Sequence, residues 1–166
     1  MKKTCVIYGS STGTCEDIAK RIASKLDNAE VVDAAKLNVE TIAAYDNLLL
    51  GTSTWGAGEM QDDWYDGIKA LNAADLNGKT IALFGCGDSE SYCDTFCGGM
   101  AELYKAIEGK GANLVGMVSA DDYNFEDSEA VIDGEFVGLA LDEMNESDKT
   151  DERINAWIES LRKFIA

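Results

Sequence analysis

The chain has 166 residues, 46% of them hydrophobic, which suits one domain with a core large enough to fold without disulfides. Its 31 acidic side chains outnumber 14 basic ones, and the net charge of −17 disfavours nucleic acid and anionic membrane; such a charge either steers in basic protein surfaces or only keeps the chain soluble. Histidine is absent, which removes the commonest general base and metal ligand, and the five cysteines form no CxxC pair.

Thr4 to Tyr8 reads as a first strand, followed by a polar turn from Gly9 to Thr14. Ile18, Ala19, Ile22, Ala23 and Leu26 then recur at helical spacing. Val31-Val32 is a short second strand and Asn47 to Gly51 a buried third. A helical pattern over Trp64 to Leu71 leads to a fourth strand, Ile81 to Phe84. The pattern predicts a helix over Thr95 to Glu108 and a fifth strand over Leu114 to Val118. Ile154, Trp157, Ile158, Leu161 and Ile165 line one face of a last helix, for which Thr150 is the expected N-cap. No repeat, linker or low-complexity tract divides the chain, so residues 1–166 are expected to form one domain. The short apolar run after Met1 is neither a signal peptide nor a membrane span, and a cytoplasmic protein with reduced thiols is expected.

Apolar strands alternating with helices indicate an α/β sandwich: a five-stranded parallel sheet in the doubly wound order 2-1-3-4-5, with helices on both faces. Ligands of such sheets lie beyond the carboxyl ends of the strands. Three polar, glycine-containing loops fall there. The first, Gly9-Ser10-Ser11-Thr12-Gly13-Thr14-Cys15, opens a helix and offers hydroxyls and backbone N–H groups to a phosphate. No Lys follows its second glycine and GxGxxG is not met, so it is neither a Walker loop nor a dinucleotide fingerprint; a plain turn with an N-cap would read the same way. The second, Thr52-Ser53-Thr54-Trp55-Gly56-Ala57-Gly58, sets a Trp beside a pair of glycines. In the third, after Phe84, Tyr92 is placed to lie opposite Trp55 across a flat ligand, Gly87 permits close backbone approach, and Asp88 is available to accept from a ring N–H.

With these motifs the sequence resembles the flavodoxins from Thr4 to Ile165. Ser10, Thr12 and Gly13 meet the family's phosphate loop, Ser/Thr-x-Thr-Gly-x-Thr, and Cys15 stands where its final Thr would be; a thiol is the weaker donor, so Thr14 or backbone N–H groups are expected to compensate. By the same resemblance Thr54-Trp55-Gly56 looks like the inner flavin loop, with Ser53 where the family usually has Pro. Cys86-Gly87-Asp88 looks like the segment at the pyrimidine edge, Tyr92 like the outer stacking tyrosine, and Phe96-Cys97 follows where the family closes the site. Ala120 to Glu135 looks like the insertion that splits the fifth strand of long-chain flavodoxins, and Phe136 to Glu143 like the strand's resumption.

The resemblance implies noncovalent FMN and a low-potential one-electron carrier, not an enzyme, that shuttles between semiquinone and hydroquinone. It implies a monomer, with a ferredoxin/flavodoxin reductase or a pyruvate oxidoreductase as donor and reductive enzymes as acceptors. Burying an anionic reduced ring under a negative field lowers its potential by roughly 59 mV for each 1.4 kcal/mol or so of penalty. An FMN-dependent NAD(P)H:quinone reductase of the same fold is the alternative, but would usually carry longer loops after the fourth strand. A receiver domain would need an Asp where Thr52-Ser53-Thr54 stands, and Cys86, Cys93 and Cys97 match no common iron–sulfur spacing. In flavodoxins a peptide of the inner loop flips to meet the reduced ring, and Gly56-Ala57 is the candidate here. Gly56→Val is therefore expected to lower the semiquinone yield in a redox titration, and an unchanged yield would remove that role for the glycine.

Overall fold

The computed structural model describes residues 3–9, 13–26, 29–55, 59, 60, 62–87, 96–123, 128–143 and 145–165, with the side chains of 55, 59, 60 and 122 left aside. The central sheet is parallel. Strand β1 (Thr4–Gly9) lies between β2 (Ala29–Asp33) and β3 (Asn47–Trp55), and β3 lies between β1 and β5 (Thr80–Cys86). A two-residue strand, β4 (Glu59–Met60), pairs antiparallel with the end of β3. Beyond β5 the last position of the sheet is filled by two short pieces, β6 (Asn113–Val115) and β10 (Leu139–Leu141), both parallel to β5. The observed order is thus the expected 2-1-3-4-5 with a divided fifth strand.

Side-chain alternation explains why these apolar runs are buried on both sides. Cys5, Ile7, Leu48, Leu50, Ile81 and Leu83 point into one core, shared with α2 (Val39–Ala43), α3 (Asp63–Ala73) and α4 (Gly99–Ile107). Val6, Leu49, Ala82 and Phe84 point into the other, shared with α1 (Thr14–Ser24) and α5 (Thr150–Ile165). Helix α5 delivers the face read from its sequence: Ile154, Trp157, Ile158, Leu161 and Ile165 are all buried. Trp157 meets Phe84 edge-on at 6.1 Å and donates its indole N–H to the Gly116 carbonyl at 2.9 Å. On the opposite face the Trp64 indole donates to the Gly51 carbonyl at 2.7 Å.

Four expectations need correction. The predicted helix over Thr95 to Glu108 begins only at Gly99, because Phe96 to Gly98 form a turn in which Cys97 takes a left-handed backbone (φ 51°); Thr95 lies outside the described residues. Thr150 is not an N-cap: it is already helical, a short 3-10 turn over Ser147–Lys149 leads into α5, and its hydroxyl is buried. Val118 does not extend the fifth strand. It belongs to β7 (Val118–Ser119), which pairs with β9 (Glu135–Phe136), itself paired with β8 (Val131–Ile132), in a separate small antiparallel sheet. The fifth strand accordingly resumes at Leu139 rather than Phe136. Helix α2 was not expected, although Asn38 caps it by accepting from the Thr41 N–H at 2.8 Å, an N-terminal signal present in the sequence.

The register shows how the strand is cut. β6 pairs with Thr80 to Ala82 and β10 with Phe84 to Cys86, so the break falls opposite Leu83. Gly138 brings the chain back there, so close that a Cβ would overlap the Leu83 carbonyl. Gly138→Ala must therefore push two strands apart. It is expected to destabilise the protein by about 2 kcal/mol or more in urea unfolding, whereas Gly134→Ala meets only its own left-handed backbone cost.

Candidate functional site

Register sets three strand ends side by side. Gly9 of β1 pairs with Thr52 of β3, and Ser53 of β3 pairs with Cys86 of β5. The loops that leave these positions therefore emerge together at the carboxyl edge of the sheet, where doubly wound folds hold their ligands. Of the residues expected there, Gly13, Thr14, Cys15, Thr54, Cys86, Gly87, Phe96 and Cys97 are described, as is the Trp55 backbone. Ser10, Ser11, Thr12, Gly56, Ala57, Gly58, Asp88 and Tyr92 lie outside the described residues.

The first loop reaches α1 through Gly13, whose φ of 90° requires a residue without a Cβ clash. Gly13 stands at the N-cap and brings no side chain of its own, and the first turn carries Glu16 and Asp17. The cations of α1 sit a turn later and are held by carboxylates. Lys20 Nζ lies 2.8 Å from Glu16, and Arg21 reaches Asp17 at 2.9 Å and Glu143 at 3.4 Å. An anion at the start of α1 would thus be met by backbone N–H groups, hydroxyls and the helix dipole.

The second and third loops are locked to the start of α4. Thr54 Oγ1 accepts from the Gly99 N–H at 3.1 Å. A Cβ on Gly99 would stand 2.9 Å from the Ser53 carbonyl oxygen, so only glycine lets the two chains approach this closely. The Gly87 N–H donates to the Leu141 carbonyl at 2.9 Å, and the Cys97 thiol reaches the Gly85 and Leu141 carbonyls at 3.8 Å each. Gly87 has a close-approach role of its own, since a Cβ there would meet the Cys97 amide nitrogen at 2.8 Å. Gly99 and Leu141 were missed in the sequence. The Gly98-Gly99 pair was a legible sign of close packing, but nothing local links Leu141 to the site.

The cysteines and Phe96 of the site face inward. Cys15 and Cys97 are fully buried, and so is the Phe96 ring, which packs on Phe136 at 5.8 Å. A hydrogen bond with Cys86, followed by burial, pushes the Cys15 thiol well above its ordinary range. Burial does the same to Cys97, helped by Cys86 and opposed by the Leu141 carbonyl contact.

Against this geometry the flavodoxin family profile matches residues 6–157. The chain belongs to the flavodoxin family. It is 41% identical to the flavodoxin of Helicobacter pylori over 166 residues, covering all of both chains. It is 44% identical to flavodoxin 1 of Escherichia coli (strain K12), covering 99% of this chain and 96% of that one. Its fold superposes on the crystal structure of Fusobacterium nucleatum flavodoxin bound to flavin mononucleotide with a TM-score of 0.93, at 33% identity and over the whole of both chains.

Burial is expected to shield Cys5, Cys15 and Cys97 from thiol reagents while the protein is folded. At pH 8 Cys15 and Cys97 stay protonated, as does Cys5, pushed up to about 12 by burial and by Glu30. Mass mapping after iodoacetamide is expected to find all three modified only once the chain is unfolded. The unfolded chain loses these protons near 9.0, the ordinary value of a free thiol, and the folded one much later, so stability is expected to fall as pH rises from about 9 towards 12.

Proposed function

We propose that this chain is one flavodoxin domain over residues 1–166 that holds FMN noncovalently and carries single electrons between redox enzymes, catalysing no reaction of its own. The observation that carries this is the register that brings the ends of β1, β3 and β5 level beside the start of α1. The FMN-bound relative and the curated flavodoxins support the same reading. FMN when bound supplies the one-electron chemistry that the side chains lack.

The residues divide the task. Ser10, Ser11, Thr12, Gly13 and Thr14 surround the phosphate, and Cys15, whose thiol is buried, contributes the N–H of the first turn of α1 instead. With no histidine in the chain and the α1 cations already paired, the phosphate is held by dipoles and leaves the negative field of the protein intact. Thr54, Trp55, Gly56, Ala57 and Gly58 cover one face of the ring, with Tyr92 on the other. Cys86, Gly87 and Asp88 line its polar edge, and Phe96 and Cys97 support that edge from beneath. Flat aromatic cover excludes water and disfavours added charge on the ring, which keeps the potential low.

The charge of −17 selects the partner. Basic surfaces on a ferredoxin/flavodoxin reductase or a pyruvate oxidoreductase as donor, and on reductive enzymes as acceptors, are steered onto a monomer in the cytoplasm. Among the described residues no helix is long and apolar enough to cross a membrane. Calorimetry of the apoprotein is expected to find one FMN per chain, and anaerobic titration to resolve two one-electron steps. Electron transfer from a basic reductase is expected to slow roughly tenfold between 10 mM and 150 mM salt. A colourless protein that ignores FMN would overturn the reading.

A further inference from the structure

The insertion that splits the fifth strand folds back onto the third loop. Ser128, only 6% exposed, donates its hydroxyl proton to the Phe96 carbonyl and accepts from the Ala130 N–H at 3.1 Å. Beneath it the Phe96 ring meets Phe136 at 5.8 Å and Tyr123 at 6.2 Å, and those two rings stand 4.9 Å apart. Tyr123 donates from its hydroxyl to the Ala140 carbonyl at 2.8 Å and carries the Arg153 guanidinium 4.0 Å above its ring. Arg153 in turn is held by Glu146 at 3.2 Å. The next residue along β10, Leu141, takes the Gly87 N–H and the Cys97 thiol.

These contacts converge on a backbone that does not favour its own conformation. Cys97 sits at φ 51°, a backbone that residues with a Cβ rarely adopt and that persists only where its surroundings over-determine it. Its neighbour Phe96 is held at the carbonyl by Ser128 and at the ring by Phe136 and Tyr123. All three partners belong to the insertion.

We propose that the insertion is a brace for the flavin ring, in which Ser128, Tyr123 and Phe136 act as positioning residues that hold Phe96-Cys97 against Gly87. The proposal rests on the reading that the third loop lines the ring. Among the described residues the contacts named above run to Phe96, Ala130, Ala140 and Arg153, on the side of the third loop, β10 and α5. The brace therefore governs affinity for the ring and leaves affinity for the phosphate alone. Riboflavin, which is FMN without its phosphate, separates the two.

The test compares FMN and riboflavin binding to apoprotein by flavin fluorescence quenching, with visible circular dichroism of the bound ring recorded alongside. Ser128→Ala, which loses one buried hydrogen bond, is expected to weaken FMN and riboflavin by the same factor, roughly fivefold, and Phe136→Leu, which loses the ring contact, to weaken both alike, each altering the dichroism. Ser128→Thr, which keeps the hydroxyl, is expected to restore both. Ile132→Ser, on an exposed position of the same small sheet, and Ile158→Val, in the core beneath α5, are expected to change neither affinity. Unchanged binding in both Ser128→Ala and Phe136→Leu, or a loss confined to FMN, would overturn the brace. Gly87→Ala, which presses directly on Cys97, separates the two levels of the argument. If it weakens the ring while Ser128→Ala does not, only the brace falls; if it too has no effect, the third loop does not line the ring.

Discussion

Strand β3 is paired on both edges and covered on both faces, and the remaining structure is arranged around that burial. Leu48 and Leu50 enter one apolar core and Leu49 the other, so the strand takes a single register against β1 and β5. A slip of one residue would exchange the faces of all three side chains. That register also carries the chemistry forward, because it places Gly9, Thr52, Ser53 and Cys86 at one level and the three loops beyond them at one edge. Packing and site geometry are the same constraint seen at two ends of the strand.

The electrostatics of the molecule follow a consistent pattern. Acidic side chains dominate, and the basic groups of α1 are taken up by carboxylates on the same helix and by Glu143. An anion beside α1 then has to be stabilised by helix and loop dipoles, which concentrate favourable potential within a few ångströms and leave the long-range field negative. A lysine in that loop would hold an anion more strongly and weaken the negative field of the protein.

Closure of the third loop depends on parts of the chain far from it. Gly87 and Cys97 lean on Leu141, and Phe96 on Ser128 and Phe136, through ring contacts and through hydrogen bonds that join residues far apart in the sequence. The small antiparallel sheet gives the insertion enough internal order to bear on Phe96, and Arg153 of α5 holds Tyr123 from the other side.

The sequence by itself determined the elements with strong local signals: the buried runs of β1, β3 and β5, the apolar face of α5, and a helix following the first loop. Strand periodicity and glycine placement act within a few residues, so they are visible without a fold. That polar, glycine-containing loops leave the ends of β1, β3 and β5 was legible for the same reason, and the register sets those ends at one edge. Only the tertiary structure decided where the fifth strand divides, because the choice between β6, β7 and β10 depends on which segment fits beside Leu83, and Gly138 returns the chain there with no room for a Cβ. It also decided the late start of α4, set by the left-handed turn at Cys97 and by contacts from Leu141. The inward turn of Cys15 belongs with these, since its partner Cys86 lies across β3 and no spacing within the first loop reveals it. Local chemistry is written in neighbours along the chain, whereas these features are settled by neighbours in space.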